Sequence, residues 1–436
     1  RELNSVESFY PQLIVFMNFS SALQLSNPQV LVQALGRLLY QLSFGLMNFY
    51  IPILFVNRMG FSATSVGFAL GLVSITEIGG HFIGGSLADS AKFGRKTVLS
   101  LAGACGVVVS ILLILAHSLW LLMVANLVLG VSLGFYWTAS GAAVMDATIS
   151  EDRPKAFAVV GLMEYIGIGI GILGGSALLG LLEDVPQLLF GACTVAFIAF
   201  VLLMLLVMTD EHQPARKGGE TFSGILKALQ DRALLVFMLA NIFFTTYFAM
   251  MTSTVPLYFT NFVTGMDAIP GVSVGSTANL FTWFYIGVGA IAQIPIANLL
   301  TPVRRVFVLM GAMVLWGIGF TLLWVTGSFA ETQYIWGIVA LSLLAIASVA
   351  YKPFFMSMVS DLAPSTLRGA YIAVASQCWT MGYFLGPFLG GWAMDQMPLV
   401  AHRFWLAVAF STVLCIALLW TFEGLRDTAP VQASES

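Results

Sequence analysis

The stretch Gly84-Gly85-Ser86-Leu87-Ala88-Asp89-Ser90-Ala91-Lys92-Phe93-Gly94-Arg95-Lys96 closes one long apolar run and opens the next at Thr97. Small residues end the first run, one acid and three bases fill a short turn, and apolar residues resume at once. Ionised side chains are costly in hydrocarbon, so a charged turn between two runs of lipid length belongs at a membrane surface. The stretch therefore reads as a hairpin between two spanning helices.

Composition agrees. Of 436 residues, 59% are hydrophobic and 9% charged, with 34 Phe, which excludes an ordinary array of soluble domains. The net charge of −3 says little, because the informative quantity in a membrane protein is where Lys and Arg fall. Cys105, Cys193, Cys378 and Cys415 all lie inside apolar runs without metal-ligand spacing and read as small buried hydrophobes. No metal or cofactor is expected. Glu2 and Glu7 stand where a signal peptide carries positive charge, so no cleavable signal is expected. Residues 9 to 26 are too short and broken to span, and read as an interfacial helix or arm.

Runs of about 20 apolar residues, the length that crosses roughly 30 Å of hydrocarbon, occur near 32–56, 63–87, 97–116, 119–144, 156–181, 187–208, 234–262, 278–300, 306–326, 333–360, 370–394 and 403–422. An even number places both termini on one side. The loops of that side hold Lys92, Arg95, Lys96, Arg153, Lys155, Arg216, Lys217, Lys227, Arg232, Arg304, Arg305 and Arg368, against Arg58 and Arg403 opposite. By the positive-inside rule both termini are cytoplasmic.

The expected organisation is an N-terminal arm (1–30), a first six-helix bundle (31–208), a cytoplasmic linker (209–232), a second bundle (233–423) and a cytoplasmic tail (424–436). The linker is rich in charge, Gly and Pro. The halves resemble each other. Tyr136, Asp146 and Arg153 recur as Tyr351, Asp361 and Arg368 at an offset of 215, and Gly174-Gly175 recurs as Gly390-Gly391 at 216. Such duplications build a midplane site between two bundles.

The opening stretch resembles the loop between the second and third helices of the major facilitator superfamily, with its helix-ending Gly, Asp and Gly-Arg-Lys run; here Gly94 follows Asp89 by five residues rather than three. Gly386-Pro387-Phe388-Leu389-Gly390-Gly391 in the eleventh run is similar to an element that antiporters of that family carry in the fifth. The resemblance implies an all-α membrane protein of twelve transmembrane helices in two pseudo-symmetric six-helix bundles, working by alternating access. It also implies that Arg95 meets Asp146, forming a gate with Asp89. Exporters of this family often carry an Arg in the fourth helix, four residues before a Gly. Asn126 stands there in this chain.

Few ionisable groups lie inside the runs, and each is informative for that reason. A carboxylate in a low-dielectric cavity takes up and releases a proton near neutral pH, and Glu77 and Glu164 are the candidates for proton coupling. His81, one turn from Glu77, is placed to share its proton. The substrate cavity draws on Arg37, Gln41, Trp137, Asn241, Tyr247, Met251, Tyr351, Lys352, Gln377 and Trp379, because aromatic and thioether surfaces adapt to varied apolar ligands. Lys352 matches Trp137 in the other half. It reads as counterion to Glu164, as anion binder, or as a coupling residue. The gating set is Asp89, Arg95, Asp146, Asp361 and Arg368, with Asp146–Arg153 and Asp361–Arg368 also spaced to pair across their turns.

These residues predict a monomeric, proton-linked exporter of small amphipathic compounds in a cell (inner) membrane, with lipid, protons and a small-molecule substrate as partners. The rival keeps the fold and carries a small anionic metabolite. A membrane sensor or intramembrane enzyme finds no nucleophile–base set and no phosphate loop, and nothing points to nucleic acid.

Overall fold

A chain that threads hydrocarbon must satisfy its backbone internally, so its apolar runs are helices. In the computed structural model, residues 27–90, 92–149, 152–181, 185–209, 226–263, 273–364 and 367–428 are described. Among them the long helices are α1 (Gln29–Asn57), α2 (Ala63–Ala88), α3 (Gly94–Ile114), α4 (Leu119–Asp146), α5 (Arg153–Leu179) and α6 (Phe190–Leu206) in the first half. The second half has α7 (Arg232–Phe262), then α8 in three consecutive pieces (Ser273–Leu280, a π-helix Phe281–Gly287, and Val288–Leu300), α9 (Arg305–Ser328), α10 (Gln333–Leu362), α11 (Arg368–Met394) and α12 (Pro398–Thr428). The expected arm, linker and tail fall largely outside the described residues.

Each helix lies where an apolar run predicts it, with ends that differ by up to six residues. Eleven are long and apolar enough to cross a membrane. The remaining one, α11, carries Gly, Ser, Gln, Tyr and Trp in place of many aliphatic side chains.

Local chemistry sets the ends. Asp231 caps α7, its carboxylate accepting from the backbone of Ala233 at 2.9 Å and Leu234 at 3.2 Å, and the Ser118 hydroxyl accepts from Leu121 at the start of α4. Gly94 turns the chain into α3 at φ 71°, a left-handed conformation that a side chain would strain.

Contacts divide the chain into two units. One holds residues 1–47 and 75–216, where α3 packs between α4 and α6, α5 lies on α1, and α2 lies on α4. The other holds 48–74 and 217–436, where α7 packs on α11 and α12, α9 on α10 and α12, and α8 on α10. The division cuts through α1 and α2, so the α1–α2 tip clusters with the later helices. Large apolar side chains also cover the outside, with Ile291, Phe410 and Trp420 among those at least 70% exposed. In water such a surface would aggregate; it is suited to lipid.

Candidate functional site

In the first unit the ionisable side chains of α1 and α5 meet. The Arg37 guanidinium is buried, and its Nη1 donates to Glu164 Oε2 at 3.3 Å while Nη2 donates to Ser140 Oγ at 3.1 Å. It lies over two α4 rings, 4.5 Å from the centroid of Trp137 and 5.2 Å from that of Tyr136. Close helix approach makes this possible: at Gly167, one turn beyond Glu164, a Cβ would overlap the Leu38 carbonyl oxygen of α1. The guanidinium is thus held by ring faces and a hydroxyl, with the carboxylate as one partner among several.

Behind it, Tyr40 of α1 stacks on Tyr136 at 3.6 Å with the rings 7° apart. Ser132 Oγ donates to the Ala102 carbonyl, so Tyr40 OH donates to Ser132 at 2.8 Å. Gln41 is buried, and its Oε1 has no hydrogen-bond partner among the described residues. On α2, His81 Nε2 lies 3.5 Å from Glu77 Oε1, one turn apart on the same helix. Both are partly exposed.

The second unit repeats the plan with the cation moved. Tyr351 of α10 stacks on Phe244 of α7 at 3.8 Å with the rings 15° apart, and its hydroxyl donates to Asn241 Oδ1 at 2.8 Å. Asn241 and Phe244 stand 204 residues after Arg37 and Tyr40. Where the first unit has a guanidinium, the second has an amide, fixed because its Nδ2 donates to Phe237 O at 2.6 Å. Where the first has Trp137, the second has Lys352, exposed and with its Nζ 5.7 Å from the Phe248 ring centroid. Trp379 of α11 stands edge-on to Phe244 and Phe248 at 6.0 and 5.7 Å, closing an aromatic wall beside the ammonium.

The other expected cavity residues lie elsewhere. Tyr247 donates to Ser411 at 2.6 Å and packs on Trp316 and Phe320, between α7, α9 and α12. Met251 is fully buried, and Gln377 turns back to donate to the Ala373 carbonyl of its own helix.

At the α2–α3 turn Arg95, 7% exposed, is the hub. Its Nε donates to Asp146 Oδ2 at 2.7 Å, and its Nη1 to Asp89 Oδ1 at 2.8 Å and the Ala88 carbonyl at 2.5 Å. The second unit again has a counterpart, since Arg305 at the start of α9 pairs with Asp361 at the end of α10. The partners seen here, Arg95 for Asp146 and Arg305 for Asp361, are not the ones that spacing across the turn suggests. Each aspartate faces the first turn of the preceding antiparallel helix. Arg153 is exposed, and Arg368 opens α11.

A family model described as Major Facilitator Superfamily matches residues 34–279 and 259–436. The chain belongs to that superfamily. It is a multi-pass membrane protein of a transporter family. It is similar to the Na(+), Li(+), K(+)/H(+) antiporter of Planococcus maritimus, 25% identical over 430 residues that cover 91% of this chain and 96% of that one. It is also similar to multidrug resistance protein MdtH of Klebsiella pneumoniae, 25% identical over 397 residues covering 87% and 90%. Among solved structures, the nucleoside transporter NupG superposes with a TM-score of 0.73 at 14% identity, covering 91% of this chain and 99% of its own. The peptide transporter POT in complex with sulfate gives 0.73 at 13% identity, covering 92% and 95%. At those identities the structures share the fold.

Against the superfamily pattern, Asn126 is buried and donates back to the Leu122 carbonyl at 2.9 Å. The guanidinium beside α4 comes from α1 instead. Sequence reasoning missed Ser140, Phe248 and Arg305. The offset of 204 between α1 and α7 was available to it, and maps Phe44 onto Phe248. Among the described residues no three His, Cys, Asp or Glu gather as a metal site.

Proposed function

We propose that this major facilitator protein exports small amphipathic compounds in exchange for protons, by alternating access. The observation that carries the proposal is the Arg37–Glu164 pair set in the aromatic wall of Tyr136 and Trp137. A proton on Glu164 neutralises the acid and releases it from Arg37, which stays seated on the rings and on Ser140. The acid can then be presented to one side with its proton and to the other without it. Glu77 and His81 form a second proton-holding pair on α2. The relatives named for cation/proton antiport and for multidrug resistance support the same reading.

Each unit offers ring faces on which an amphipathic substrate would rest, Trp137 in the first, and Phe248 and Trp379 with Asn241 and Tyr351 behind them in the second. Arg95, Asp89 and Asp146 would hold the cytoplasmic gate, and the weight of Lys and Arg on one side supports a reading with both termini in the cytoplasm of an inner-membrane protein. One subunit suffices for this mechanism, and it includes no enzymatic step.

A second reading is favoured by Lys352, an exposed ammonium in mid-helix beside Phe248. It makes the same fold a carrier of small anions. One experiment separates the two. Purified protein in proteoliposomes with an internal pH dye is challenged with cationic, neutral and anionic compounds. The exporter is expected to move protons with lipophilic cations or neutrals and to lose this in Glu164→Gln. A response to anions alone, lost in Lys352→Ala, replaces it with the anion carrier.

A further inference from the structure

The α1–α2 tip, residues 48–74, is gripped on three sides by helices of its own unit. Toward α7, Asn57 and Asn261 exchange amide hydrogen bonds of 2.7 and 3.0 Å. Toward α8, Phe49 packs on Phe281 at 5.6 Å. Toward α11 the contact is closest. A Cβ at Gly67 would overlap the Pro387 carbonyl oxygen, and one at Gly391 would overlap that of Ala63, while Phe68 packs edge-on to Phe384 and Phe388.

At the end of this seam stands Asp395, the residue after α11. One carboxylate oxygen accepts from the Ala63 backbone N–H at 2.7 Å, and the other accepts from the Thr64 N–H at 2.7 Å and from the Thr64 hydroxyl. These two N–H groups are in the first turn of α2, where no intrahelical acceptor is available. A residue 331 positions away in sequence therefore caps α2. The Gly-Pro-x-x-Gly-Gly run of α11 has a matching role. Gly386 and Gly390 lie against α7, at Thr246 and Thr254, while Pro387 and Gly391 lie against α2, so one short run seats two helices at once.

We propose that Asp395 is a gating residue of the transport cycle: its cap on Ala63 and Thr64 latches the tip to α11, and its release is required before the seam at this end can open. Three features make the contact releasable. The carboxylate is exposed and water can replace its partners; its bonds to the half-buried Thr64 lie at the surface; and the nearest contacts beneath it, at Gly67 and Gly391, are of glycine with backbone, with the rings of Phe68, Phe384 and Phe388 deeper in the seam. The contact is also specific, because a carboxylate supplies only acceptors to three donors. An asparagine would turn an NH2 group toward one of them.

The inference rests on the reading of the chain as an alternating-access transporter, and its test needs neither a known substrate nor proton coupling. In a variant whose four native cysteines are replaced by serine or alanine, Ala63→Cys places a buried reporter in the seam, and purified protein is labelled with a polar maleimide. Adding Asp395→Asn or Thr64→Val is expected to raise the labelling rate several-fold, with the monodisperse elution profile unchanged. Unchanged labelling in both variants overturns the proposal.

A second arm keeps the carboxylate out of the comparison. Thr64→Cys with Asp395→Cys, oxidised to a disulfide, is expected to abolish transport and to restore it on reduction. Full transport with the cross-link complete overturns the latch. If the double variant transports nothing even when reduced, the labelling arm alone decides. A failure of the exporter reading would show as an absent proton response with the labelling change intact.

Discussion

Arg37 illustrates how a single buried charge is made tolerable in lipid. Two ring faces, a hydroxyl and a carboxylate share it, so it does not depend on the carboxylate for its seat. Lysine cannot reproduce this, since a point charge neither forks nor stacks as a guanidinium does. Arg37→Lys is expected to fold and to transport about tenfold more slowly, equivalent to about 1.4 kcal/mol and within the range of a desolvated cation–π contact; initial rates in proteoliposomes check it. Arg95 and Arg305 give a sharper contrast. Arg95 is buried with two aspartates and a carbonyl, whereas the Arg305 side chain is 40% exposed. Truncating a buried partner costs about 3–5 kcal/mol and an exposed one about 0–1. Thermal inactivation in detergent should therefore show Arg95→Ala well below wild type and Arg305→Ala close to it. Equal midpoints would mean that the buried network adds nothing.

Between elements, the spacing of helices follows from where a side chain has room. On α4, a Cβ at Gly134 would lie 2.5 Å from the Gly80 backbone carbon of α2, whereas one at Gly141 meets nothing within 4 Å. Gly134→Val is expected to overpack the pair and cost about 1–3 kcal/mol. Gly141→Ala should stabilise α4 by about 0.5–1 kcal/mol through helix propensity alone. Opposite shifts of the thermal midpoint check both. The helices themselves were legible in the sequence, because lipid demands apolar runs of a set length and charges collect in the turns. Their pairings were legible only in part. Arg95 with Asp146 followed from a resemblance, yet Asp361 reads locally as a partner for Arg368, and only three-dimensional packing brings Arg305 to it. Tyr247 likewise sits among aromatic residues that suit a cavity wall, and the sequence does not reveal that its ring faces α9 and α12. A pattern of types along one helix leaves the facing direction open whenever all sides are apolar, as they are here.

For the whole molecule, coupling to protons makes a thermodynamic demand that no single residue carries. A pH difference of one unit is worth about 1.4 kcal/mol per proton exchanged, so the substrate gradient at rest should change about tenfold per proton. Reversing the imposed pH gradient should then reverse substrate flow, measured in proteoliposomes with the pH inside and outside exchanged. Flow that ignores the gradient would mean the protein equilibrates substrate without coupling. The two units need not contribute alike, since the guanidinium of one is answered by an amide in the other and the second cation stands on α10 rather than α7.

The π-helical segment Phe281–Gly287 of α8 has a bearing on how the two halves are compared at all. Hydrogen bonds from i to i+5 accommodate one residue more than the α-helical ladder, and one residue is worth about 100° of rotation. Its counterpart α2 runs as unbroken α-helix over Ala63–Ala88. In genetic terms α8 carries the equivalent of a one-codon insertion that α2 lacks. An alignment of the halves that holds one constant offset through this segment will, beyond Gly287, set each position of one copy against a position about 100° around the helix in the other. Mutational scans or covariation maps folded onto the internal repeat would lose their signal there unless a single-letter gap is opened in α2.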